Sequence, residues 1–223
     1  KKDTEGADVD RHGSSSGGAD VLLFITSHMP FYHYDFLTFC WPEIVQASPL
    51  LRSVDVLFLD TRNATDAKTE RTMRLLRSTF PTSTPIEVVR GDNLGKQEGA
   101  MMAMEEAVRN GWFDGYDWVI RLNPDVLIRN DTWLIQTMLD DHVDGIFVDC
   151  VDGRWEDTGG APKIHTDFYA VRPRAIYPGS FRCNAVNYVD AESCVSSFEQ
   201  FGHIVSEGRH RWLPGAGPHD GNC

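Results

Sequence analysis

Five mostly apolar residues, Trp118-Val119-Ile120-Arg121-Leu122, run straight into Asn123-Pro124-Asp125. A carboxylate delivered by a buried strand is a hard oxygen donor, and hard oxygens suit Mg²⁺ or Mn²⁺. Such a cation neutralises charge on a departing phosphate group without moving a proton. One or two protein ligands are enough, because phosphate oxygens and water fill the other coordination positions. All three residues also favour turns, so the same tripeptide could simply end a strand. The apolar run before it and the helical pattern after it favour the chemical reading.

The elements that must position this tripeptide alternate between apolar runs and helical patterns, the mark of βαβ units on a largely parallel sheet. Strands are expected at Val21–Ile25, Val54–Leu59, Ile86–Val89, Trp118–Leu122, Gly145–Val148 and Phe168–Val171. Between 65 and 80, Met73, Leu76 and Phe80 keep helical spacing. From Gln97 to Phe113 the stripe is Ala100, Met104, Ala107, Val108 and Trp112, with Glu105, Glu106 and Arg109 on the outer face. A further helix after Asp190 carries Ala191, Cys194, Val195, Phe198 and Phe201. In open α/β sheets ligands sit beyond the carboxyl ends of the strands. That rule selects Thr26–His28, Asp60–Arg62, Gly91–Gln97 and Asn123–Asp125 as lining. Thr26, Asp60 and Arg62 are placed to meet a base and ribose, and Lys96 a diphosphate; ordinary strand-end capping is the competing reading.

Bulk properties narrow the class. The chain of 223 residues has 33 acidic and 21 basic residues, a formal charge of −12. That excess argues against a nucleic-acid or anionic-membrane surface. No apolar run reaches the roughly 18 residues needed to span a bilayer. Residues 1–19 are polar and end in a Ser/Gly-rich stretch, so they read as a flexible leader, with 20–223 as one catalytic domain. The five cysteines are too few for a disulfide scaffold and show no CxxC spacing. Cys183 and Cys223 sit in loop-like sequence and could pair, and the odd count leaves one thiol over. Two sequons, Asn63-Ala64-Thr65 and Asn130-Asp131-Thr132, lean weakly towards a secretory compartment.

The stretch Gly95-Lys96-Gln97-Glu98-Gly99-Ala100, followed by a helix and then by Tyr116–Ile128, resembles the GT-A glycosyltransferases. In those enzymes a glycine-led helix precedes a central strand ending in an Asp-x-Asp motif. Val126-Leu127-Ile128 and Asp131-Thr132-Trp133-Leu134 resemble the short strand and helix that follow the motif. The likeness is a pattern from Val21 to the C-terminus and is specific over residues 95–139. This chain departs from it at the first acid, which is Asn123.

The resemblance implies an α/β fold of GT-A type, a Rossmann-like, mostly parallel central sheet flanked by helices. It implies a sugar moved from a nucleotide-diphosphate donor, most simply a UDP-sugar, to a hydroxyl of a glycan or glycoprotein acceptor. Asp125 corresponds to the acid that touches Mn²⁺ (or Mg²⁺), and Asn123 to a residue that hydrogen-bonds ribose or metal-bound water. A C-terminal histidine, here His219, returns to the metal in many relatives. Inverting enzymes place a base at the head of a late helix, which selects Glu192, with Asp190 as helix cap or acceptor ligand; both also fit an ordinary helix start. His165-Thr166-Asp167 leads a strand that looks like the acceptor side, where His165, Asp167 and a stacking Trp155 would meet the acceptor. Trp155 could equally close its loop on the core. The family and the leader suggest a Golgi lumenal location in the secretory pathway, with the cytoplasm as the alternative. Asn123 keeps a second reading open: a non-catalytic GT-A relative that binds a sugar or nucleotide. The stretch after the first strand, Thr26–Phe31, lacks the Gly-rich basic loop of nucleotidyltransferases and the GxGxxG of dinucleotide enzymes.

Overall fold

The computed structural model describes residues 19–62, 65–128, 131–149, 164–181 and 204–207. The first strand, β1 (Val21–Ser27), is buried along its whole length, as a strand covered on both faces must be. Next come a short helix α1 (Phe31–Asp35), a π-helical turn (Phe36–Cys40) and α2 (Trp41–Ala47). β2 (Asp55–Asp60), α3 (Asp66–Thr79), β3 (Ile86–Arg90), α4 (Lys96–Arg109) and β4 (Trp118–Leu122) complete the parallel half. The second half contains α5 (Thr132–Met138), β5 (Gly145–Asp149), β6 (Ile164–Val171) and β7 (Ile204–Glu207).

The seven strands form one sheet in the order β3-β2-β1-β4-β6-β5-β7. β1 pairs in parallel with both β2 and β4, and β2 with β3. β6 runs antiparallel to β4 and to β5, while β7 is parallel to β5. Alternate side chains feed two cores. Leu23, Ile25, Ile120 and Leu122 pack with Leu37, Trp41, Leu76 and Leu134 on one face. Leu22, Phe24 and Val119 pack with Met101, Met104, Ala107 and Phe113 on the other. Helices α2, α3 and α5 therefore cover one face, and α4 covers the other.

Several local expectations are corrected. The segment 31–47, for which no element is expected, is helical, and its apolar pairs Phe36-Leu37, Cys40-Trp41 and Ile44-Val45 recur every four residues. Its middle turn is π-helical and Pro42 falls in the first turn of α2. Val126–Ile128 form no strand; Leu127 and Ile128 are buried without regular secondary structure. The helix expected over 97–113 stops at Arg109, where Asn110 caps it and Gly111 takes φ 67°. Glu105 is fully buried rather than on the outer face, because its carboxylate accepts the Gly179 amide (2.8 Å) and pairs with Arg109 (2.7 Å). β7 was not expected from the sequence, and the helix after Asp190 lies outside the described residues.

Candidate active site

A cavity of about 230 Å³ opens beyond the carboxyl ends of β1 and β4, against the first turns of α4. This is the switch point of the sheet: β1 and β4 are adjacent, and the chain continues from β1 to β2 on one side and from β4 into the other half of the strand order. Thr26, Asn123 and Arg121 point to the α4 side because they alternate with the residues of the opposite core. Gly95, with φ 85°, starts α4 in a backbone conformation that L side chains rarely adopt.

Asn123 is fixed by four hydrogen bonds. Its Oδ1 accepts from Thr26 Oγ1 (3.1 Å) and from Arg121 Nη2 (3.0 Å). Its Nδ2 donates to Asp167 Oδ1 (2.6 Å), and its backbone N–H to the Asp167 carbonyl (3.1 Å). An amide is therefore the residue type this position uses: it meets donors with its oxygen and a carboxylate with its nitrogen. A second acid here would face Asp167 directly. Arg121, only 2% exposed, also donates to Thr26 Oγ1 (2.7 Å), yet among the described residues its Nε and Nη1 have no hydrogen-bond partner. Tyr169 lies beside it, with the guanidinium 5.9 Å from the ring centroid. The Tyr169 hydroxyl is buried without a partner, and burial pushes its ionisation far above the ordinary value.

The other side of the cavity is built by α1. Ser27 Oγ accepts the Met29 amide (2.8 Å) and lies 2.7 Å from His33 Nδ1. The other ring nitrogen of His33, Nε2, stands 3.4 Å from Asp125 Oδ1. That contact is electrostatic rather than a well-formed hydrogen bond, and Asp125 Oδ1 is otherwise buried without a partner. Burial opposes ionisation of Asp125, but His33, the backbone amide and the charge of Arg121 together hold its carboxyl below the usual range. Tyr32 closes this side; burial first, then the charges of Asp125 and Asp167, push the pKa of its phenol above the ordinary value and so oppose its ionisation. The Pro124 carbonyl accepts from the buried Trp41 indole (2.7 Å), so the middle of the tripeptide is pinned as well.

These residues fit a hard divalent cation. Asp125 presents an ionised carboxylate whose buried Oδ1 makes no well-formed hydrogen bond among the described residues, and Asn123 and Asp167 bring further oxygens to the same cavity. Among the described residues no three His, Cys, Asp or Glu side chains converge. A cation here would rest on one or two protein oxygens, with ligand and water completing its shell.

Of the residues singled out from sequence, Thr26, Asn123, Asp125 and Asp167 line this one cavity. Asp60 does not. It is fully buried, and Arg62 grips both of its oxygens through Nε (2.9 Å each) and Nη2 (2.6 Å). Arg62 is in turn held by Thr72 Oγ1 and the Tyr34 hydroxyl, and the strand-end residue that lines the cavity is Thr61. The Asp60–Arg62 pair is thus an internal brace, which corrects the expectation that Asp60 is free to meet a ligand. Lys96 opens α4, and His165 lies in β6 beside the lining residue Thr166. Trp155, Asp190, Glu192 and His219 lie outside the described residues.

Ser27 falls within the lining expected at Thr26–His28, whereas His33, Tyr32 and Arg121 are not among the residues singled out from sequence. His33 stands in an aromatic-rich stretch with no recognisable spacing. Arg121 did carry a signal: one charged residue inside an otherwise apolar buried strand.

Several solved structures share this architecture. The chain superposes on a mannosyltransferase from Pyrobaculum calidifontis in complex with GDP-Man and Mn²⁺ at TM-score 0.56 and 14% identity, over 91% of this chain and 59% of that one. A protein from Desulfovibrio desulfuricans G20 assigned as a nucleotide-diphospho-sugar transferase gives 0.53 and 13%, over 84% and 78%. The galactosyltransferase LgtC, in complex with donor and acceptor sugar analogs, gives 0.52 and 12%, over 84% and 72%. The chain thus spans well under two thirds of the mannosyltransferase's length. No family profile and no curated sequence matches the chain. The fold is that of the GT-A nucleotide-diphospho-sugar transferases.

Proposed function

We propose that this chain is a nucleotide-sugar-dependent glycosyltransferase that transfers a sugar to a hydroxyl of a glycan or glycoprotein. The observation that carries the reading is Asp125, ionised and with a buried oxygen faced by His33 Nε2 at 3.4 Å, beside Asn123 at the end of β4 in the switch-point cavity. A divalent cation bound by Asp125 would supply the positive charge that a departing nucleoside diphosphate needs. Thr26, His28 and Thr61 line the side where base and ribose would rest, and Asn123 orients its neighbours through Arg121 and Asp167. Lys96, at the start of α4, would meet the diphosphate; Asp167, His165 and Trp155 would meet the acceptor. Glu192 would take the acceptor proton in an inverting reaction, with Asp190 capping its helix. His219 would be the second metal ligand, and the donor would be a UDP-sugar. The disulfide-bonded, fully buried Cys40 supports an oxidising, secretory compartment such as the Golgi lumen.

A second reading is a GT-A module that binds a nucleotide sugar without turning it over. It is favoured by Asn123, whose carbonyl oxygen is already shared between Thr26 and Arg121. Calorimetric titration of UDP and GDP, with and without Mn²⁺, tests the donor site. Binding that needs both Mn²⁺ and Asp125, judged with Asp125→Ala, is the expected result. Binding followed by no hydrolysis or transfer over a broad acceptor panel would favour the second reading. A wild-type protein that binds neither nucleotide under any condition would defeat both.

A further inference from the structure

The floor of the cavity holds a cation whose hydrogen-bond donors the described residues leave partly unmet. Arg121 is 98% removed from solvent (2% exposed), and its two hydrogen-bond partners, Thr26 and Asn123, are both neutral. Both bonds come from Nη2, so the three N–H donors on Nε and Nη1 are idle. Among the described residues no carboxylate makes an ion pair with it. An idle buried donor is costly, and an idle buried cation more so, unless something arrives to meet it.

The surroundings leave room for an arrival. The α4 residues that line the cavity opposite are Gly99, Ala100 and Ala103, none with a side chain longer than a methyl group. A Cβ added at Gly99 would meet nothing closer than the Leu94 carbonyl carbon at 4.0 Å. The hydroxyl of Tyr169, against whose ring the guanidinium rests, is a further buried group with no partner. A protected cation, an idle hydroxyl and a wall of small residues together make a receptor for oxyanion oxygens.

We propose that Arg121 is the oxyanion receptor of this cavity and takes a phosphate or carboxylate oxygen of the donor in the space left by Gly99, Ala100 and Ala103. This rests on the glycosyltransferase reading for its ligand, though the receptor itself stands on geometry. Two parts of a donor carry that chemistry: the diphosphate, and an acidic group on the sugar such as a uronate.

The test is a set of calorimetric titrations on the full chain: wild type, Arg121→Lys, Arg121→Met and Gly99→Leu. The probes are UDP, UDP-glucose and UDP-glucuronate with Mn²⁺, and pyrophosphate without metal. Arg121→Met is expected to weaken binding by about 10- to 100-fold, the range for a charge-assisted hydrogen bond. Arg121→Lys recovers only part of this, because an ammonium cannot keep the Thr26 and Asn123 bonds and still reach the ligand. Gly99→Leu fills the open space and weakens the same probes without lowering the melting temperature. Equal losses for UDP and UDP-glucuronate identify the diphosphate as the group received; a loss confined to UDP-glucuronate identifies the carboxylate. If Arg121→Met does not fold, Arg121→Lys and Gly99→Leu decide the matter. Unchanged affinities in the folded variants overturn the receptor and leave the donor reading intact. A wild type that binds pyrophosphate in an Arg121-dependent way but no nucleotide keeps the receptor and removes the donor reading. Binding of none of the four probes overturns both.

Discussion

Replacing Asn123 by aspartate would restore the Asp-x-Asp form of the motif, yet the structure predicts that it harms this protein. The Asn123 amide nitrogen is 2.6 Å from Asp167 Oδ1, so Asn123→Asp sets two carboxylates face to face. Unit charges at that 2.6 Å separation repel by about 1.6 kcal/mol at the dielectric constant of water and by about 6 kcal/mol at an effective value near 20. Proton uptake bounds the penalty, since protonating a carboxyl of ordinary pKa at pH 7 costs about 4 kcal/mol. Asp167 is exposed and Arg121 lies alongside, which places the repulsion near its lower end. With the lost amide bond included, the expected cost is about 2–3 kcal/mol at neutral pH. The native pair binds a proton more readily than the unfolded chain does, so this cost shrinks as pH falls towards about 5. The double variant Asn123→Asp/Asp167→Asn swaps donor and acceptor and should regain most of the loss. Urea unfolding of all four proteins at about pH 7, 6 and 5 measures the cycle. A single variant as stable as wild type at neutral pH, or a loss that the double variant leaves in place, would refute the argument.

Three further expectations are open to direct measurement. Asp125 has a depressed folded-state pKa, so it contributes stability above the unfolded value of about 3.9 that is lost as pH falls through the lower folded value. Acid unfolding of Asp125→Asn should therefore decline less steeply than wild type below about pH 4, and identical acid limbs would count against it. Glu105→Ala strands the Gly179 amide and Arg109, and should cost about 2–4 kcal/mol in chemical denaturation; a change under about 0.5 would contradict the assignment. Trp41→Phe removes the indole bond to Pro124 and should lower stability by about 1–2 kcal/mol and weaken Mn²⁺-dependent nucleotide binding. Normal binding in that variant would mean that the tripeptide holds its shape unaided.

The parallel half of the sheet was legible because fully buried strands are continuous apolar runs. β1, β2, β3 and β4 stand within two residues of their expected positions. The antiparallel insertion of β6 between β4 and β5 was not legible, since strand direction leaves no mark on so short a run. No helix is expected over 31–47, although Phe36, Leu37, Cys40, Trp41, Ile44 and Val45 recur at near-helical spacing; Pro42 interrupts that pattern in the sequence and is accommodated in the first turn of α2. Within the site, strand-end position found Thr26, Asn123 and Asp125. It also selected Asp60, because it cannot distinguish a carboxylate open to a ligand from one already gripped by Arg62 two residues on. His33 reaches Asp125 only through the sharp chain reversal at Met29, whose φ is 48°. No sequence spacing encodes that encounter.

The Asn-Pro-Asp segment is held by bonds from Trp41, Thr26 and Asp167, which lie 83, 97 and 44 residues away along the chain. None of these ties survives if the sheet opens, so the site has no local unfolding route of its own. Every ligand that enters the cavity is consequently linked to the global unfolding equilibrium, and binding and melting become one thermodynamic measurement. A compound present at a hundred times its dissociation constant should add about 2.7 kcal/mol of stability, a rise of about 5–10 °C in melting temperature for a chain of this size. The protein can thus report its own donor: a panel of nucleotide sugars ranked by thermal shift would order them by affinity before any product has been detected.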